Sequence, residues 1–214
     1  MNSGIELPRP KAGRQATRLP GGAAIDVRKM DFSEIEGSPL YAYAKDPLVS
    51  HFFHMLSLLF PEGELFFMDS VRNYKKEITD PVLKAQIKAF MSQEALHTKA
   101  HVAYNKRLEA AGINLERVDK VLHWAFAALK KLPRKDQLAI TLVCEHFTST
   151  IANELLRNEE IQSLIDDSHK NMWLWHAVEE TEHKAVAFDV FRAVGGSEAR
   201  RLWGVPLTVV GIGP

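Results

Sequence analysis

From about residue 48 onward the chain reads as a series of long helices. Apolar positions recur every three to four residues, and no stretch alternates as a strand does. The first helical stretch covers about 48–78, and Pro61 inside it predicts a kink or a break near Phe60. Thr79-Asp80-Pro81 then reads as a stop, an N-cap and a first-turn proline. A second stretch covers about 82–111 and ends at Gly112, and a shorter helix is expected over about 115–131. The third long stretch begins near Pro133. The polar joint NEEIQSLIDDS separates it from the fourth, about 169–194, which Gly195-Gly196 closes.

Four long helices, with one extended connection between the second and third, predict an all-α four-helix bundle with a long crossover carrying an extra helix. Residues 48–196 form the expected bundle. Residues 1–47, rich in Gly, Pro and Arg, form an irregular N-terminal arm with a short helical turn around Pro39–Ala44. Residues 197–214, ending in RRLWGVPLTVVGIGP, form an apolar tail too short to span a bilayer. It is expected to be a docking tail or the start of a truncated apolar segment, and membrane contact through it is an expectation to carry forward.

The fourth stretch holds WLWHAVEETEHKAVAFD, with five titratable groups at the centre of a core-like helix. At about 100° per residue, with His176 at zero, Glu180 falls near +40° and His183 near −20°. All three share one stripe with Met172, Ala187 and Val190, which marks the core side. Glu179 sits at the edge of that stripe, and Glu182 points elsewhere. Carboxylates and imidazoles facing a core cost several kcal/mol to desolvate unless paired or bound to metal. The second stretch repeats the device, because Glu94 and His97 form another Glu-x-x-His on one helix face.

Two such motifs alone are weak evidence, and their registry strengthens them. The turn between the first two helices centres near residues 79–80, so the partner level with Glu94 is expected near 64, where Glu64 stands in ELFF. The turn between the last two centres near 162, so the partner of Glu180 is expected near 145, where Glu145 stands between LVC and HFT. Four helices thus bring Glu64, Glu94, His97, Glu145, Glu180 and His183 to one level. That set suits two metal ions, iron first, with manganese or zinc as alternatives.

Composition narrows the rest. The formal net charge is zero, so no nucleic-acid footprint is expected. The single cysteine, Cys144, excludes an internal disulfide and fits a reducing compartment. The basic N-terminus lacks an apolar core of the secretory kind, and a cytoplasmic location is expected.

Four segments carry a family resemblance: FPEGE at Phe60–Glu64, QEALH at Gln93–His97, EHFT at Glu145–Thr148 and WHAVEETEHKAVAFD at Trp175–Asp189. On these the sequence resembles the ferritin-like di-metal carboxylate superfamily, and more closely the bacterial family labelled "predicted metal-dependent hydrolase". The match spans about residues 30–195. The resemblance implies a ferritin-like bundle around a di-metal site. A further His four residues before the second Glu-x-x-His is similar to the three-histidine di-iron site of arylamine N-oxygenases. By that likeness His176 is implied as a metal ligand.

The expected activity is O₂-dependent oxidation or oxygenation of a small organic substrate at a non-haem di-iron site. Metal-dependent hydrolysis and iron storage are the alternatives, and a homodimer is a further expectation. Glu62 is a reserve for the fourth carboxylate. Glu179 reads equally as a partner orienting a ligand imidazole or as an exposed ion pair. His101 and His146 read as supporting or structural, His51 and His54 as packing or cap residues, and Cys144 as an inert thiol. Trp173, Trp175, Phe66 and Phe67 read as core with a pocket as the sharper alternative, and Tyr104 carries little weight as a radical site.

Overall fold

The computed structural model describes residues 25–212, and the expectation of an irregular arm over residues 1–24 lies outside them. Among the described residues seven α-helices follow one another: α1 (Pro47–Arg72), α2 (Pro81–Ala110), α3 (Glu116–Leu129), α4 (Arg134–Arg157), α5 (Glu159–Ser163), α6 (Asp167–Ala193) and α7 (Glu198–Ile212). No strand occurs among the described residues, only an isolated bridge between Tyr43 and Ile165. The fold is an all-α bundle.

The boundaries follow from local chemistry. Asp80 caps α2, accepting from the backbone N–H of Val82, with Pro81 at the first turn. Gly112 (φ +91°) and Gly195 (φ +74°) end α2 and α6 in a left-handed conformation that a side chain would strain. The expected break at Pro61 does not occur, and α1 runs through it without interruption. Proline removes the N–H that would bond the Ser57 carbonyl one turn back. Asn105 of α2 takes its place, donating from Nδ2 to that carbonyl at 3.1 Å. The helical turn expected at Pro39–Ala44 is displaced to a 3-10 turn at Ser33–Gly37, while Tyr43 pairs with Ile165 instead. The apolar tail is a helix, α7, which packs on α4 and α3. It approaches closely at Gly204, where a Cβ would lie 2.9 Å from the Ala139 carbonyl oxygen. No described helix is long and apolar enough to cross a membrane.

The four long helices close a ring, α1 against α2, α2 against α6, α6 against α4, and α4 against α1. Cross-helix hydrogen bonds set their directions. Glu64 meets Thr98 and Ser57 meets His101, so α1 and α2 are antiparallel. His97 meets Glu179 and His101 meets His176, so α2 and α6 are antiparallel. Ser70 meets Thr141, and Glu145 lies by His183, so α4 opposes both α1 and α6. It follows that α2 and α4 run the same way, and the connection carrying α3 must return along the bundle, as the crossover expectation requires. Two apolar clusters fill the ring. Phe66, Phe90, Leu138 and Val190 belong to one, and Phe53, Tyr104, Leu155 and Met172 to the other. Between them lies a single buried band of acids and histidines.

Candidate metal centre

The band contains all seven residues singled out by spacing and resemblance: Glu64 from α1, Glu94 and His97 from α2, Glu145 from α4, and His176, Glu180 and His183 from α6. None is more than 6% exposed. Two groups of ligand atoms that could hold metal ions lie here. Glu94, His97, Glu180 and His183 form one, and Glu64, His97 and His176 the other, each with its atoms within 4.8 Å of one another. Glu145 completes the ring, with Oε2 3.7 Å from His183 Nδ1. Glu180 occupies the middle. Its Oε1 is 3.1 Å from His176 Nε2, 3.2 Å from His183 Nδ1 and 3.5 Å from His97 Nδ1.

The polar atoms facing this space are unsatisfied by the protein. Glu64 Oε1, both oxygens of Glu94 and of Glu145, His97 Nδ1 and His183 Nδ1 are buried without a hydrogen-bond partner. Buried polar atoms rarely stay unpaired, because each costs about 1–3 kcal/mol and charged ones more. Seven in one volume fit cation binding, and four carboxylates match the charge of two divalent ions.

The imidazoles are oriented for the same task. His97 Nε2–H donates to Glu179 Oε2 at 2.9 Å, which leaves the Nδ1 lone pair facing the centre. His183 Nε2–H donates to Gln93 Oε1 at 3.0 Å, with the same result. Gln93 can accept there because its Nε2 donates to Glu182 and to the Asp26 carbonyl. Behind His176 runs a longer chain. Ser57 donates its hydroxyl proton to Asn105 Oδ1 at 2.8 Å, so its oxygen accepts from His101 Nδ1–H at 2.9 Å. His101 Nε2 is therefore an acceptor and takes the Nδ1–H of His176 at 2.7 Å. That fixes the His176 tautomer with Nε2 toward Glu180 and Glu64.

Proton affinities follow from this arrangement. Burial, and then the neighbouring Glu94, push the Glu64 and Glu145 carboxyls well above the usual range. Burial works against a charged His97, but the hydrogen bond to Glu179 and the Glu180, Glu64 and Glu94 carboxylates around it outweigh it and raise the imidazole to about 9. Burial and the neighbouring His97 lower His176 to about 4, and burial with His176 beside it lowers His101 too, so this pair is neutral. Four acids crowded together thus demand positive charge, from protons or from metal.

A family model described as "Predicted metal-dependent hydrolase" matches residues 26–213. The chain belongs to that family. Searches of curated proteins and of solved structures gave no match.

In this family member the reserve residues stand apart from the centre. Glu62 accepts from His123 Nδ1 of α3 at 3.1 Å, His146 is exposed, and His51 is exposed. His54 is buried, packed by Tyr43 and Tyr104. Tyr104 bonds Tyr43 rather than any site residue. Burial pushes the Cys144 thiol up to about 12, as suits an inert group. Glu179 proves to be a partner of His97, not an exposed ion pair. Trp175 stacks edge-on to His97 and donates its indole N–H to the Arg28 carbonyl, while Trp173 donates to Tyr43.

Sequence spacing overlooked Gln93, Ser57, Asn105, Thr98 and Arg28. Gln93 and His101 lie four residues either side of His97, so the helical period carried that signal. Arg28 gave none. Its backbone N–H and guanidinium bind Glu179 and Glu182 across a separation of 151 residues or more, so the arm closes the α2–α6 side of the centre. Because His101 sets the His176 tautomer, His101→Phe should weaken binding at the His176 side about 10–100-fold while the helical circular-dichroism spectrum is retained. Metal titration checks this, and unchanged affinity would remove the relay from the site.

Proposed function

We propose that the protein is a di-metal enzyme with a ferritin-like helix arrangement, holding two ions on the seven residues above and using O₂ to oxidise an apolar small molecule. The observation that carries this reading is the meeting of the ligand band with an apolar cavity. A space of about 220 Å³ lies between α1, α4 and α6, with His176 and Glu180 in its wall. Its other lining is almost wholly aromatic and aliphatic, including Phe53, Phe60, Ile151 and Trp173.

Two redox-active ions such as iron supply the electron transfer between substrate and O₂ when bound. The chain's own residues do the rest. Glu180, within 3.5 Å of a nitrogen of all three imidazoles, would be the central ligand, and Glu64, Glu94 and Glu145 would complete the set on its flanks. Gln93, Glu179 and His101 keep the imidazole lone pairs inward. The apolar clusters above and below exclude water, which strengthens every charge interaction within.

Hydrolysis is the second reading, favoured by the family description. It calls for groups that stabilise developing negative charge and protonate a leaving group. The cavity offers little for that. Thr148 already donates its hydroxyl to the Glu145 carbonyl, and Glu154 stands at the exposed end. Oxidation of an apolar substrate asks less of the wall, and we rank it first.

Elemental analysis of protein purified without chelator should find about two equivalents of metal. Iron-loaded, reduced protein should consume O₂ faster when an apolar substrate is added. Zinc occupancy with cleavage of nitrophenyl esters and no O₂ uptake would reverse the ranking. Absence of metal after reconstitution would overturn both readings.

A further inference from the structure

A second apolar cavity, of about 360 Å³, lies between α1, α3, α4 and α7. It shares Leu59, Phe60, Phe147 and Thr148 with the cavity beside His176 and Glu180, so the two adjoin at these side chains. Either alone lies near or below the lower end of small-molecule sites, and together they fall within that range. Their shape is more informative than their size. On α1 the lining runs from Phe52 to Phe67, and on α4 from Val143 to Leu155. At 1.5 Å per residue these spans are about 22 Å and about 18 Å, so the two adjoining spaces lie end to end as a groove-shaped track along the α1–α4 seam.

The groove meets the candidate centre at its junction. Phe60, common to both cavities, packs its ring 4.6 Å from that of His176. Gly63 and Cys144 of the second cavity immediately precede Glu64 and Glu145. Phe147, 62% exposed, forms a lip over the junction. Apart from the ligands, the one charged residue in the lining is Glu154, exposed at one end. A polar or anionic head group finds no partner inside, and a compact ring would leave most of the length unfilled.

We infer that the substrate is an unbranched aliphatic chain of the lipid class, lying along the α1–α4 seam with its reacting carbon at the junction beside His176. This deepens the oxidase reading, since it takes the metal centre as the reacting group. Binding is separable from that chemistry, because zinc fills such a site without redox activity.

The test uses zinc-loaded protein and displacement of a fluorescent apolar dye by 1-alkanols from hexanol to tetradecanol, with naphthalene as the compact competitor. Affinity should rise with each methylene, by up to about fourfold per step, until the groove is full. Ile151→Trp in the first cavity and Thr208→Trp in the second should each shorten the chain at which the rise stops. Either variant suffices if the other fails to fold. A flat series beyond hexanol, naphthalene binding as tightly as the longest alkanol, or unchanged chain-length limits in folded variants would overturn the proposal. Failure of O₂ consumption with normal chain selectivity would instead count against the oxidase reading alone.

Discussion

Replacing Glu180 with alanine is expected to empty the centre of at least one ion and to reduce turnover to background. Its Oε1 lies within 3.5 Å of ring nitrogens from His97, His176 and His183, so no other carboxylate touches both ligand groups as closely. Burial raises the cost of a charged Glu180, yet the adjacent His183, with His176 and His97 close by, holds its pKa well below the ordinary range. The residue is therefore ionised and available at neutral pH without losing a proton first. The matched control is Glu62→Ala, which removes a carboxylate two residues from Glu64 that pairs with exposed His123. That variant should keep about two equivalents of metal, the full complement expected of such a site. Metal content by elemental analysis, alongside circular dichroism, decides the matter. Full occupancy in Glu180→Ala would show that the centre is not organised around this residue.

Much of this centre was legible because a helix repeats. The spacing of His176, Glu180 and His183 placed three groups on one stripe, and the turn positions placed Glu64 and Glu145 at the same level as Glu94. Those inferences need only helix geometry and short connections, and the structure brings the residues together. What spacing could not carry depended on contacts between helices. Pro61 read as a kink or a break because local chemistry removes a hydrogen bond there, and the compensating donor, Asn105, lies 48 residues away from Ser57. The Ser57–His101–His176 chain was hidden for the same reason. The cover provided by Arg28 was hidden more deeply, since an irregular segment has no period from which to project a face. Likewise α7 was obscured by Gly204, Pro206 and Gly211, which interrupt a helical pattern that packing on α4 restores.

Removing the metal should make the protein lose stability as pH rises from about 7 to 9, and restoring it should reverse the trend. In the chelated protein Glu64 and Glu145, raised by burial and then by Glu94, are protonated at pH values where the unfolded chain has released those protons. His97, at about 9, and His183, likewise raised, hold protons that an unfolded histidine near 6.5 has lost. Folded-state values above the unfolded ones give stability that is present at low pH and lost as pH rises through the folded pKa. The lowered groups do not offset this. His101 and His176 are largely neutral in both states above about pH 7, and Glu179 and Glu180 are ionised in both. Metal binding replaces those protons, so affinity must increase over the same interval. At a free metal concentration about a thousandfold above Kd the stabilisation is about 4 kcal/mol, and it should be larger at pH 9 than at pH 7. Urea denaturation at both pH values, with chelator and with metal, measures each arm. A chelated protein that becomes more stable toward pH 9 would mean that Glu64, Glu145, His97 and His183 do not store protons in place of metal, and the charge argument for a two-ion centre would fall with it.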